Sequence, residues 1–410
     1  VALTADTLGS RSVAVGRGTL GTQNFTSATN TNNTAVGYDA GAAITTGTEN
    51  TLIGALAGDA LTDADLNVAV GASALSSDNL GSASVAIGKG ALAVQNFTFA
   101  TNTFNTAVGH NAGLSTTTGI QNTFVGGLAG DAFTDADFNT AIGYQTLSAD
   151  TQGSRSTAVG FQALANQNFT SATDVYNTAM GHGAGGAVTT GVQNTLIGGL
   201  TGDALTTGSN NVALGTFALT TDDVGSFSTA LGYNALASQN YASATDGYNT
   251  AVGARAGQSI TTGVQNTIVG GLAGDSITTA NENVAIGTTA LSAETQGTRA
   301  VAMGVSALAS QNFSSAQDNY NVGIGFQAGF AVTTGVQNIL IGGIAGDAIT
   351  DADFNISIGY GALGANTVGS KSVAIGQGAL VNQNPGSATD MHNVAVGHQA
   401  GNDITTGVKN

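Results

Sequence analysis

A single five-residue pattern recurs from one end of the chain to the other and constrains its fold more than any other feature. The pattern is Asn or Ser, a β-branched residue, a residue that is mostly Ala, an aliphatic residue and Gly, and only Ala300 breaks its first position. The 22 closing glycines are separated by 21, 17, 17 and 17 residues, in a series that repeats without a slip. Four units therefore make a 72-residue super-repeat, and we expect a repeat array rather than several unrelated domains.

Each unit is too short for a repeat that contains a helix. A unit of 17 residues holds two short strands and two turns, whereas a strand–helix–strand crossover needs about 30 residues. Gly, Thr, Asn and Val are also poor helix formers. The sequence therefore predicts an all-β fold, a parallel β-solenoid of 22 stacked rungs of 17 or 21 residues. At about 4.8 Å between strands, such a stack would be about 105 Å long.

The regularity of the series predicts one continuous solenoid over residues 1–410. Both ends of the sequence fall within a unit, which predicts that the chain is a slice of a longer array. The complete super-repeats cover residues 16–87, 88–159, 160–231, 232–303 and 304–375.

The alternation within each unit predicts a strand with two different faces. The residue before the closing glycine is always Val, Ile, Leu or Met, and two positions earlier it is always Val, Thr or Ile. We expect these branched residues to form a buried aliphatic column, because β-branched side chains pack well on a half-buried strand. The central Ala column, including Ala14, Ala35 and Ala69, would then face outward as a strip for lateral self-association. An alternative is that Ala lines the second half of a wider coil.

The core motif also resembles a known family of repeats. Ser84-Val85-Ala86-Ile87-Gly88, like Asn283-Val284-Ala285-Ile286-Gly287, is similar to the head repeats of YadA-type trimeric autotransporter adhesins and to repeats in the shafts of phage tail fibres. The resemblance covers essentially all 410 residues, although these units are longer than the usual head repeat. It implies a left-handed parallel β-roll and a homotrimer packed through the face that carries the Ala.

The super-repeat predicts how side chains interlock between rungs. The residue four after the closing glycine alternates in pairs between Leu and Gly, as in Leu20, Gly41, Gly58 and Leu75. In the third rung of each super-repeat a large residue replaces the central Ala, at Leu52, Phe124, Leu196, Ile268 and Leu340. Large residues beside small ones in adjacent layers are expected where rungs interdigitate. The Asn that opens each motif is expected to form a hydrogen-bonded ladder from rung to rung.

The composition excludes several classes of protein. The chain has no Cys, which rules out disulfide scaffolds and thiol catalysis. With 8 Lys and Arg against 25 Asp and Glu, a net charge of −17 disfavours nucleic acid as a partner. No apolar run approaches the length of a membrane span. Nearly every polar residue recurs with the lattice, so no catalytic, cofactor-binding or metal-binding residue is predicted.

The 21-residue interval carries an extra loop, first seen as Gln23-Asn24-Phe25-Thr26-Ser27-Ala28-Thr29-Asn30. Its Gln returns at Gln95, Gln167, Gln239, Gln311 and Gln383, and its ring at Phe97, Phe169, Tyr241 and Phe313, with Pro385 in the last copy. We weigh two interpretations. In the first, the ring is part of a repeated binding site that projects from the surface. In the second, which is favoured, the ring has a structural role and either covers the aliphatic column or packs against a neighbouring chain.

Acidic residues and histidines recur on the same lattice. Asp59, Asp131, Asp203, Asp275 and Asp347 are spaced by 72 residues, and three copies continue to paired acids at Asp63 and Asp65, Asp135 and Asp137, and Asp351 and Asp353. Calcium takes oxygen ligands, but a solvated acidic face that prevents clumping is the favoured interpretation. His110, His182 and His398 each follow a closing glycine, and His392 stands alone. Tyr38, Ala254 and Phe326 occupy the same lattice position, which indicates a tolerant surface site.

These observations favour a structural or adhesive extracellular fibre shaft without enzymatic activity. Its expected partners are other copies of itself, as a homotrimer, and a host cell surface, matrix or glycan receptor. Its expected location is extracellular or at the cell surface, and the alternative is a phage tail fibre shaft for host recognition. An ice- or ligand-binding solenoid is a further hypothesis, since regular rows of Thr could match a crystal lattice. It is less favoured because Thr pairs such as Thr45-Thr46 and Thr261-Thr262 occur in turns and only in some rungs. An enzyme would need a non-repeating cluster of carboxylates or cations, which the sequence lacks.

Overall fold

The computed structural model describes every residue from Val1 to Asn410 and contains strands and turns but no helix. The residues form two compact units, Val1–Thr207 and Gly208–Asn410. In each unit, strands from successive rungs pair in parallel, for example Thr34 with Thr51 and Ile339 with Ile356. The all-β parallel β-solenoid is therefore confirmed within each unit. Its handedness and its continuity over 1–410 stay predictions.

Each unit contains eleven three-residue strands that end just before a closing glycine. In the first unit they are Val13–Val15, Thr34–Val36, Thr51–Ile53, Val68–Val70, Val85–Ile87, Thr106–Val108, Thr123–Val125, Thr140–Ile142, Thr157–Val159, Thr178–Met180 and Thr195–Ile197. In the second they are Val212–Leu214, Thr229–Leu231, Thr250–Val252, Thr267–Val269, Val284–Ile286, Val301–Met303, Val322–Ile324, Ile339–Ile341, Ile356–Ile358, Val373–Ile375 and Val394–Val396.

Two-residue strands form three further parallel pairs in each unit, each pair flanking one of the extra loops. In the first unit the pairs are Gly9–Ser10 with Thr29–Asn30, Gly81–Ser82 with Thr101–Asn102, and Gly153–Ser154 with Thr173–Asp174. In the second they are Gly225–Ser226 with Thr245–Asp246, Gly297–Thr298 with Gln317–Asp318, and Gly369–Ser370 with Thr389–Asp390.

The closing glycines are required because the backbones of successive rungs nearly touch where the strand ends. Gly37 has a φ of +144°, and a Cβ built on it would lie 2.3 Å from the carbonyl oxygen of Gly54. No side chain fits at that distance, and L-residues rarely adopt that φ. The invariant glycine of the motif therefore allows the rungs to stack at strand spacing.

The interior is filled by alternating large and small residues, as the super-repeat predicts. Leu52 is fully buried, and its two methyl groups occupy the space beside two glycines in neighbouring rungs. A Cβ on Gly41 or on Gly58 would lie 2.8 Å from Leu52. Each large side chain in the third rung therefore fits because the glycines beside it have no side chains. The predicted interdigitation is confirmed.

The predicted asparagine ladder is also confirmed, and it joins rungs in two directions. Asn50 donates its backbone N–H to Oδ1 of Asn33 at 2.9 Å. Its own Nδ2 donates across the coil to the carbonyl oxygen of Ala64 at 2.8 Å. The backbone N–H of Asn67 then donates to Oδ1 of Asn50 at 3.0 Å. Each buried amide therefore satisfies backbone groups that the short strands leave without a partner.

Candidate functional site

The three-residue strands present the opposite face to solvent from the one predicted. The central residues Ala35 and Ala69 are 0% exposed, whereas Val15 is 56% and Ile53 40% exposed. The expected outward Ala strip is therefore wrong, and so is the expected burial of the branched columns. The cause is the narrowness of the coil: a Cβ on Gly323, which replaces the Ala in one rung, would already lie 2.8 Å from Leu308. A branched residue in every rung would not fit inside.

The first and third residues of these strands form two parallel columns, which we call the outer strand face. The first column consists of Val, Thr and Ile and the second of Val, Ile, Leu and Met, and neither contains a charged residue. The most exposed apolar members are Val13, Val15, Ile53, Ile87, Ile142 and Met180 in the first unit, and Val212, Leu214, Met303, Ile339, Val394 and Val396 in the second. Large exposed apolar patches are typical of interaction sites.

The rings of the extra loops are buried and not displayed. Phe25 is 6%, Phe169 8% and Tyr241 4% exposed, in line with the interpretation that they cover the coil. They do not cover the aliphatic column, however, because that column lies on the outside. The ring of Phe97 instead lies beside Gly81, where a built Cβ would be 2.9 Å from the ring and 2.2 Å from the carboxylate of Asp78. Phe99, in the same loop, is 80% exposed.

Under these loops lie carboxylates that the sequence analysis did not identify. Asp78, Asp150, Asp222 and Glu294 are all 0% exposed. Asp150 accepts hydrogen bonds from the backbone N–H groups of Gly153 and Phe169, both at 3.0 Å, and from the Gln167 amide at 2.5 Å. Burial raises the pKa of Asp150, and these hydrogen bonds oppose the rise.

A sequence signal for these buried acids does exist. In each copy the acid precedes a glycine by three residues and precedes the loop glutamine by seventeen, as in Asp150, Gly153 and Gln167. The carboxylate therefore lies in the fourth rung of one super-repeat and receives the glutamine from the first rung of the next. We call this arrangement the carboxylate–glutamine cluster. Its geometry ties the extra loop to the coil.

The paired acids act as hydrogen-bond acceptors between rungs. Oδ1 of Asp65 accepts from the backbone N–H and the hydroxyl of Thr48, at 2.7 and 2.9 Å. Asp137 accepts from the backbone N–H of Ile120 at 2.8 Å, and burial raises its pKa. No group of three or more His, Asp or Glu is placed to hold a metal ion. The paired acids therefore link successive rungs through hydrogen bonds.

The acids at 72-residue spacing are less exposed than a solvated acidic face requires. Burial raises the pKa values of Asp59, Asp131, Asp275 and Asp347. Oδ1 of Asp59, of Asp131 and of Asp275 is buried and has no hydrogen-bond partner. The expectation of a fully solvated face is wrong for this series, because each carboxylate is folded partly against the neighbouring rungs.

His110, His182 and His398 are exposed and directly follow the closing glycines of their strands, at a corner beside the outer strand face. His182 stacks on Phe161 with ring centroids 5.1 Å apart, and Phe161 stacks on Tyr144 at 5.9 Å. A pocket of about 360 Å³ opens next to His182, between Gln162, Asn166 and Asp203. A second pocket, of about 250 Å³, lies on the same corner of the second unit around Gly361 and Gly378. This corner is where open space occurs on the surface of both units.

The threonines of the turns form a column whose hydroxyls are already engaged. Thr62 donates Oγ1–H to the carbonyl oxygen of Asn79 at 3.0 Å, and Thr117 donates to that of Thr134 at 3.1 Å. The same bond recurs in the second unit, from Thr278 to Thr295 at 3.0 Å. An ice-binding row needs hydroxyls directed at water. The threonine column therefore does not favour the ice-binding hypothesis.

Comparison with known proteins does not assign the chain to a family. No protein-family model matches the chain, and no curated protein matches it. The structure contains no helix that is long and apolar enough to cross a membrane.

Proposed function

We propose that this chain is the non-catalytic shaft of an extracellular fibre that self-associates through its outer strand face. The observation that carries the proposal is the inverted strand: small residues fill most of the coil, while an uncharged column of Val, Ile, Leu and Met lies on the outside, half-buried in some rungs and exposed in others. An isolated soluble chain has no need of such a surface. A second copy with the same spacing would cover it rung by rung.

The chemistry of this face suits a permanent interface. Charged residues are depleted at the cores of interfaces, and apolar residues are enriched there. Here the charged side chains lie elsewhere, for example in the exposed ion pair of Arg155 with Asp174 at 3.1 Å. The number of copies, three, comes from the resemblance to YadA-type head repeats; the implied packing through the Ala face is wrong, because those Ala residues are buried in the coil.

The remainder of the surface supports an adhesive role. A rigid array repeats each exposed group at a fixed spacing, so weak contacts with a cell surface, a matrix or a glycan would add through multivalency. The same arrangement would serve a shaft at a cell surface or in a virion tail fibre. Both settings share the proposed self-association.

The test is sedimentation of the full chain at micromolar concentration. We expect the wild type to sediment as a trimer and a chain with Ile53→Asp and Ile87→Asp to dissociate, because both residues lie on the outer strand face and are 40% and 37% exposed. Val94 is equally exposed, at 42%, but lies outside the strands. Val94→Asp is therefore the matched control and should leave the assembly intact.

A wild-type chain that sediments as a monomer would overturn the proposal. So would a double variant that assembles as well as the Val94→Asp control. Circular dichroism of each variant shows whether the strands are retained, since both substituted isoleucines are solvent-accessible and should not unfold the coil.

A further inference from the structure

The super-repeats share their interior but differ at one corner of the second rung. The residue five after that rung's closing glycine varies in size and polarity, as Ala42, Leu114, Gly186, Gln258, Phe330 and Asn402. The residue directly after the same glycine varies as Tyr38, His110, His182, Ala254, Phe326 and His398. A corner that differs between otherwise matched copies is where the array can present a distinct site.

In the third super-repeat this corner is open. Gly183 and Gly186 stand where the other copies mostly carry side chains, and the pocket of about 360 Å³ occupies the space that they leave. That volume lies within the range of small-molecule sites. Gly186 does not have a positive φ, so its backbone conformation does not require glycine. The effect of the missing side chain is to leave the pocket open.

One wall of the pocket is the end of an aromatic stack. His182 is covered on one side by Phe161, with an angle of 12° between the rings. Its other side faces the next rung, where the corresponding residue is Gly199. A Cβ built on Gly199 meets nothing within 4 Å. The stack of Tyr144, Phe161 and His182 therefore ends beside open space at Gly199.

The other walls carry the apolar side chain of Leu200, uncharged amides and one carboxylate. Gln162 donates from Nε2 to Gln145 at 2.9 Å, and Asn166 donates from Nδ2 to the carbonyl oxygen of Gly186 at 2.9 Å. Their amide oxygens and the remaining N–H of Asn166 are left for a ligand. Asp203 closes the opposite side. No Lys or Arg lines the pocket, so a phosphate or another anion is not a suitable occupant.

We propose that this pocket binds a single pyranose ring of a glycan. The C–H groups of one sugar face would lie on the open face of His182, since aromatic faces carry negative charge and attract the positive edges of C–H bonds. The hydroxyls, each both donor and acceptor, would bond to Gln162, Asn166 and Asp203. The proposal deepens the adhesive function proposed above, but the site lies on one chain and does not require assembly.

The experiment is saturation-transfer NMR on the full chain with a panel of methyl pyranosides (gluco, galacto and manno) and N-acetylglucosamine. We expect at least one sugar to receive saturation at its ring protons, and Gly186→Phe to weaken its binding at least tenfold by filling the pocket. Phe330 occupies the equivalent position in another super-repeat, so the lattice accepts this residue. His182→Ala should weaken binding to a similar extent, and Ala254 is its natural precedent.

The matched control is His110→Ala, because His110 occupies the same corner of the second super-repeat, where Leu114 fills the space. It should bind the sugar as the wild type does. The inference is overturned if no sugar of the panel binds the wild type, or if Gly186→Phe binds as tightly as His110→Ala. Sedimentation of the same variants separates this result from the fibre proposal, because a chain that assembles and binds no sugar contradicts only the pocket.

Discussion

Two copies of the carboxylate–glutamine cluster differ by one charge. In the first unit, buried Asp150 accepts the Gln167 amide at 2.5 Å. In the last copy, which lies in the second unit, Asn366 takes the place of the acid, and its side chain bonds only to Gly369, donating to its carbonyl oxygen at 2.7 Å and accepting its N–H at 3.0 Å. There the loop glutamine, Gln383, donates to Ser372 at 3.0 Å, as Gln167 also does to Ser156 at 3.1 Å, but it has no bond to Asn366.

The loop above each cluster explains this difference. Phe169 donates its backbone N–H to Asp150 at 3.0 Å, and Phe313 does the same for Glu294 at 3.2 Å. The equivalent residue in the second unit's last loop is Pro385, which has no N–H to donate. The copy that lacks this donor also lacks the carboxylate. A buried charge therefore occurs here only together with the loop donor that compensates for its loss of hydration.

The largest effect is expected from removing the glutamine that bonds to the charge. Gln167→Leu leaves the Asp150 carboxylate without its side-chain donor, at a cost of about 3 kcal/mol in the local opening free energy. Gln383→Leu, the matched change, leaves only neutral groups unpaired and should cost about 1 kcal/mol. Native-state hydrogen exchange at Gly153 and Gly369 measures both. Equal losses at the two glycines would contradict the role given to the charge.

A smaller effect is expected from removing the loop donor itself. Phe169→Pro copies the last loop and deletes the N–H that bonds to Asp150, with an expected cost of about 2 kcal/mol that includes the lost ring. In a chain that also carries Asp150→Asn, the cost should fall by about 1 kcal/mol, because the charge is gone. The lost ring contributes equally in both backgrounds. A double-mutant cycle read by hydrogen exchange isolates the coupling, and a coupling of zero would show that loop and acid are independent.

The periodicity of the sequence was sufficient to predict the rungs, the parallel stacking and the asparagine ladder, because each depends on spacing alone. It was not sufficient to choose which face of the strand lies inside. Burial of the more hydrophobic face is a sound rule for a monomer, and this chain departs from it because the coil interior is too narrow for branched residues. The exposed column is the feature that most favours an assembled state.

A signal for the correct orientation was nevertheless present. Leu52 replaces the central Ala in the rung that lies between the paired glycines Gly41 and Gly58. Large and small residues can compensate for each other only where they face a common interior, so this pairing places the central residue inside. The cluster of Asp150 was harder to see, because a buried acid without a cation is uncommon and the donors that satisfy it are mostly backbone groups.

The smallest predicted effect is on pH dependence: the local stability around Asp150 should depend on pH, whereas that around Asn366 should not. Burial raises the pKa of Asp150 above its unfolded value, so the folded state binds a proton more readily than the unfolded state does. The stabilisation is therefore fully present below the unfolded pKa of about 3.9 and is lost as the pH rises through the raised folded value. We expect the protection of Gly153, corrected for intrinsic exchange, to fall as the pH rises above about 4.

Exchanging the two residues should exchange this behaviour between the two units. Asp150→Asn should make the protection of Gly153 independent of pH, since an amide does not titrate. Asn366→Asp should introduce the dependence at Gly369, and more strongly than at Gly153, because Pro385 offers the new carboxylate no N–H. A pH dependence at Gly153 that survives Asp150→Asn would assign the titration to another group. A flat profile at Gly369 in Asn366→Asp would show that the last cluster admits enough water to solvate a charge.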